Sequence, residues 1–167
     1  MNEGYFFAIA AIAIAITGFV GVISALKNRI DDEWPLNEFY GVKLILEHSI
    51  GGVFLALLPP LLAMSISAPS VVWSTASAAL GTFLAYQFRL QLRRVRHSIA
   101  RGPPARSLRM LTFGWFFPTI FVLMLQIANA FYWKGQVVFA IGVLWLLIAA
   151  CTQFMHSFAK SKIAGGA

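Results

Sequence analysis

The feature that most constrains this chain is a series of five long apolar runs, at residues 5–26, 40–66, 71–92, 110–131 and 137–158, joined by short connectors. At about 1.5 Å of rise per residue, each run is long enough to cross about 30 Å of hydrocarbon as a helix. Backbone amides inside a bilayer find no water, so a spanning segment must satisfy its own hydrogen bonds. The runs also lack the period-two alternation of barrel strands. The expected fold is therefore all-α: a polytopic transmembrane helix bundle of five spans, forming a single transmembrane domain over residues 1–167.

Composition agrees with that expectation. The chain is 59% hydrophobic and 11% charged, with a mean hydropathy of +0.77, whereas soluble domains carry roughly 25% charged residues. Five spans leave no room for a soluble catalytic domain. The first run reads as a retained span and not a secretion signal. Its only early charge is Glu3, and it is longer than the apolar stretch of a signal peptide. The lone Cys151 cannot form an internal disulfide.

The basic residues set the expected orientation. The first connector carries Lys27, Arg29 and Lys43. The third carries Arg93, Arg94, Arg96, Arg101, Arg106 and Arg109, with Arg89 just inside the span. The tail carries Lys160 and Lys162. With five spans, twelve of the 13 Lys and Arg fall on one side and only Lys134 on the other. The positive-inside bias then puts the N-terminus outside and the C-terminus in the cytoplasm, and suggests a bacterial inner (cytoplasmic) membrane. A net charge of +7 and a pI near 10.1 would suggest nucleic acid in a soluble chain. Here the charge caps apolar runs, so the expected partner is the lipid bilayer, with anionic headgroups along the Arg93–Arg109 loop and no nucleic acid.

Local signals refine the outline. Pro35 is suited to the first turn of a second helix, and Gly102-Pro103-Pro104 to the end of a third that outlasts its span. Pro59, Pro60 and Pro118 each remove a backbone donor inside an apolar run, which predicts helix kinks or an early end. Trp73 and Phe131-Tyr132-Trp133 fit an outer aromatic belt. Ala8, Ala11, Ala15, Gly18 and Ala25 form a stripe of small residues along the first run. Internal packing is its favoured reading and a dimer face the alternative, with Ile9, Ile12, Ile16 and Phe19 turned outward. Ser74, Ser77, Ala78, Gly81 and Ala85, with Gly52 and Ala56, suggest tight packing in the third and second runs.

Polar residues inside the runs are the candidate site. Glu47 and His48 lie about 10 Å inward along their helix from Tyr40. A buried ionisable group needs a partner, and Arg89, Gln153 and His156 stand at similar depth. The favoured reading of this cluster is a structural polar network; a proton- or ion-responsive site is second. Gln126 and Asn129 form an outer-half polar pair three residues apart on one helix face, suited to interhelical hydrogen bonding. His48 and His156 supply the minimum for bis-histidine haem, the least favoured reading; otherwise no cofactor and no metal site are expected. No HExxH, GxSxG, P-loop or CxxC occurs.

These features favour a small membrane protein without enzymatic activity that acts by assembly, through self-association or as an accessory subunit of a membrane complex. A channel or transporter with an inner polar site around Glu47 is the first alternative. An intramembrane enzyme or haem electron carrier is the second.

Overall fold

A computed structural model describes residues 3–27, 36–100 and 106–164, with side-chain surroundings over 4–22, 42–93, 95–96 and 114–155. The described chain is all-helical: α1 (Glu3–Lys27), α2 (Leu36–Ala63), α3 (Pro69–Ala100), α4 (Arg106–Ala128), a π-helical turn (Asn129–Trp133) and α5 (Gln136–Ala164). Four of these stretches, Gly4–Val22, Val42–Ala63, Gly114–Trp133 and Gln136–Met155, are long and apolar enough to cross a membrane. α3 falls short of that standard because Ser74, Thr75, Ser77, Thr82 and Gln87 dilute its apolar character. Pro35 and Gly102-Pro103-Pro104 lie outside the described residues.

The helices pack as two compact units, one of residues 1–61 and 143–167, the other of residues 62–142. In the first, α1, α2 and the later part of α5 meet around Val20, Ile45 and Ala150, flanked by Ile16, Val42, Leu46 and Phe154. The rings of Phe19 and Phe154 lie 5.5 Å apart. A Cβ on Gly52 would touch Leu147 and Ala13 at 3.7 and 3.8 Å, ordinary van der Waals contact. In lipid such close fit replaces the hydrophobic drive that packs helices in water.

The small-residue stripe of α1 does not serve this packing. Ala8, Ala11, Ala15 and Gly18 are all exposed, while Phe6, Ile9, Ala10, Ala13 and Val20 are buried. This corrects the sequence-based assignment of the inner face, including the outward placement of Ile9. Because every residue on α1 between Tyr5 and Ile16 is apolar, no polar face marks the outside, and fit to α2 and α5 decides which stripe turns in.

The second unit is built on α3. Val72, Trp73, Ala76, Ser77, Leu80, Gly81, Leu84 and Gln87 are buried, a stripe at the helical period. Thr75, Ala78, Thr82, Ala85, Tyr86, Arg89, Arg93 and Arg96 mark the opposite, exposed stripe. Ala78 and Ala85 therefore stand apart from the packed face that holds Ser77 and Gly81. Trp73 is 6% exposed and its ring packs at a tilt on Phe139 at 5.9 Å. Phe131, Tyr132 and Trp133 are exposed. Phe88 meets Phe116 edge-on at 5.1 Å.

Both α2 and α4 continue through their prolines. α2 runs through Pro59 and Pro60 to Ala63, and the chain turns there, with the amides of Ser65 and Ile66 donating to the Leu62 carbonyl at 3.1 and 2.8 Å. Pro118 lies inside α4, which continues to Ala128.

Candidate functional site

The densest polar arrangement lies in the second unit, where α4 ends. Asn129 opens the π-turn, which closes with the Lys134 amide donating to the Asn129 carbonyl at 2.8 Å. The extra residue in this turn brings the Asn129 side chain level with Gly135. Its Oδ1 accepts the Gly135 amide at 2.8 Å, and its Nδ2 donates to the Gly135 carbonyl at 2.9 Å. The same Nδ2 donates to Ser77 Oγ on α3 at 2.7 Å. The amide donor from Gly135 fixes which end of the Asn129 amide is oxygen. Ser74, one turn earlier on α3, donates to the Ala130 carbonyl. This hydroxyl reaches a carbonyl that the end of α4 leaves without a full set of helical partners.

Gln126, one turn before Asn129, donates through Nε2 to the Val138 carbonyl at the start of α5, at 2.8 Å. Gln126 and Asn129 are both 0% exposed. Gly142 lets α5 come this close: a Cβ there would sit 2.5 Å from both Gln126 Nε2 and Leu80 Cδ2. The other amide atom, Gln126 Oε1, is buried with no hydrogen-bond partner. This side chain thus combines one donated bond with close packing against Gly81 and Gly142. Lys134 closes the turn in the left-handed region at φ 49° and ψ 42°, a conformation that L-residues rarely hold.

The inner-half residues are spread differently. Glu47 is half-buried in the first unit and pairs with Lys43 one turn earlier on α2, at 3.8 Å. His48 is 5% exposed, and its Nδ1 donates to the Leu44 carbonyl at 2.8 Å. That bond requires a proton on Nδ1. Ser49 beside it returns its hydroxyl to the Ile45 carbonyl at 2.8 Å. Gln153 is half-buried on α5 in the same unit. Arg89 is exposed on α3 in the other unit. His156 lies on α5, but its side chain is outside the described residues. Among the described residues no three His, Cys, Asp or Glu side chains gather as a metal-ligand set.

Sequence reasoning singled out Gln126 and Asn129 but counted Ser74 and Ser77 only as small residues. Their hydroxyls on an inward stripe, at the depth of two amides in the following run, were the available signal. Gly135 and Gly142 carried none, because their part depends on where α5 begins. Lys43 was legible as an i,i+4 partner of Glu47 but was counted only as a loop charge. Comparison with protein-family models, curated proteins and solved structures finds no match for this chain.

Proposed function

We propose that this protein is a five-span integral membrane protein, N-terminus outside and C-terminus in the cytoplasm, which acts by assembly as a homo-oligomer or as an accessory subunit of a membrane complex. α3 is counted as the fifth span. Its length of about 48 Å exceeds the hydrocarbon thickness, and counting it keeps twelve of the 13 Lys and Arg on one side. A bacterial inner membrane fits that bias.

The observation that carries the assembly reading is the exposed stripe Ala8, Ala11, Ala15 and Gly18 on α1. Among the described residues, no atom of another helix lies within 4 Å of where a Gly18 Cβ would stand. Small residues at this spacing let a second backbone approach closely, which is how helices associate where lipid is as apolar as leucine. The test is an Ala11→Cys, Cys151→Ala variant oxidised in native membranes. A crosslinked dimer supports self-association, and a crosslink to another protein supports the accessory-subunit form. A chain that stays uncrosslinked here and at Ala15→Cys contradicts self-association, and one that also brings down no other protein after lysine-reactive crosslinking contradicts the accessory-subunit form.

The second reading is a channel or transporter. It draws on Glu47, a half-buried carboxylate beside the buried His48, because intramembrane ionisable groups are function candidates. Flux in proteoliposomes that disappears in Glu47→Ala would support it, and flux indifferent to that change would remove the site.

A further inference from the structure

The outward stripe of α3 carries a row of cations without a carboxylate partner among the described residues. Arg89, Arg93 and Arg96 recur at spacings of four and three on one helix face, one turn beyond the exposed Tyr86. None of the three pairs with a carboxylate among the described residues. The unit that holds them could not supply one. The last acidic residue of the whole chain is Glu47, so residues 62–142 contain no Asp or Glu at all. Arginines on an exposed face of a unit that holds no carboxylate are open to anions from outside that unit.

Position along the helix says which anion. α3 begins at Pro69. At about 1.5 Å per residue, Arg89 stands about 30 Å along it, Arg93 about 36 Å and Arg96 about 40 Å. With the start of α3 at one hydrocarbon boundary, Arg89 reaches the opposite boundary and the next two guanidiniums lie within the headgroup layer. A guanidinium offers a planar fork that matches phosphate oxygens bidentately. Tyr86 places a phenol on the hydrocarbon side of the row, the position aromatic side chains favour at interfaces. A loop that only set orientation would need its charge anywhere outside the membrane; it would not need three exposed guanidiniums aligned on a helix continuous with a span.

We propose that Arg89, Arg93 and Arg96 form a binding track for the phosphate groups of anionic phospholipids in the cytoplasmic leaflet. The inference rests on the five-span reading, since it takes α3 to cross the membrane.

The test uses full-length protein reconstituted in mixed phosphatidylglycerol and phosphatidylcholine vesicles, then released for native mass spectrometry with its retained lipid. The wild type should keep phosphatidylglycerol selectively. Each arginine lost should weaken retention about five-fold, and the triple variant R89Q/R93Q/R96Q on the order of a hundred-fold. R89K/R93K/R96K, which keeps the charge and loses the planar fork, should retain less phosphatidylglycerol than the wild type and more than the glutamine variant, and a glutamine variant that melts as the wild type does shows that its loss is not misfolding. R101Q/R106Q/R109Q should retain phosphatidylglycerol. Equal loss in the two glutamine triples would overturn the track in favour of diffuse attraction, and so would a wild type with no lipid preference. Ser67→Cys and Ser98→Cys, each in a Cys151→Ala background, report separately on the span. Labelling from opposite sides of the membrane supports a crossing α3. Labelling from the same side overturns the five-span reading, and the depth argument with it, whatever lipid is retained.

Discussion

Asn129, at the first position of the π-turn, donates its side-chain amide to Ser77 Oγ on α3 at 2.7 Å, and the same side chain closes on both backbone groups of Gly135. One buried amide thus ties the end of α4 to α3 and to the start of α5. The three bonds are unequal in consequence. Loss of Ser77 removes one acceptor, whereas loss of Asn129 strands two backbone groups and a hydroxyl.

Asn129→Ala should therefore destabilise by about 1–3 kcal/mol. Ser77→Ala should cost less, about 0.6 kcal/mol, the average for interhelical bonds in membranes. Thermal unfolding in detergent checks the order. A double-mutant cycle should show coupling between the two positions, and strict additivity would mean that the bond contributes nothing.

Two glycines at helix contacts should respond to alanine with opposite signs. Gly142→Ala forces a Cβ into Gln126 and Leu80, overpacking that should cost about 1–3 kcal/mol. Gly52→Ala meets only ordinary contacts and removes a flexible residue from a helix interior, which should stabilise by about 0.5–1 kcal/mol. Melting temperatures of the two variants, measured side by side, read the difference.

Gln126 should tolerate an apolar replacement that Asn129 does not. Its Oε1 is buried without a partner, and desolvating such an oxygen offsets the bond that Nε2 makes. Gln126→Leu removes both and should change stability by less than about 1.5 kcal/mol. Asn129→Leu should be the more damaging of the pair in the same assay.

Lys134 holds a left-handed conformation that costs an L-residue roughly 1–2 kcal/mol. Lys134→Gly should recover up to about 1 kcal/mol. Lys134→Val, with its branched Cβ, should lose stability. A glycine variant less stable than the wild type would mean that the lysine side chain itself supports the turn.

Much of this architecture can be read from apolar runs alone, because crossing hydrocarbon demands length and internal hydrogen bonding. The all-helical chain and four membrane-length helices follow from that demand. The inner face of α1 does not. Ala8 and Ala13 are equally compatible with lipid and with a neighbouring helix, so only the fit against Gly52 and Leu147 selects Ala13. α3 shows the converse: its serines and threonines lower its apolarity, and two of them, Ser74 and Ser77, mark its packed face because they turn inward to bond, whereas Thr75 and Thr82 lie on the exposed stripe. The polar types at Gln126 and Asn129 were visible in the chain. Their partners were not, because the π-turn that aligns Asn129 with Gly135 depends on one extra residue in a helix end, below what spacing alone can resolve.

The central claim is that the exposed small-residue face of α1 is an assembly surface. It is tested most directly by native mass spectrometry of protein gently extracted from its own membrane, comparing the wild type with Ala11→Leu/Ala15→Leu. Both replaced side chains are exposed, so the variant's own fold should melt as the wild type does. The account predicts a defined homo-oligomer, or a complex with another membrane protein, that the double variant loses while remaining folded. A wild type that is monomeric and without protein partners, or an assembly that the leucines leave intact, would contradict it.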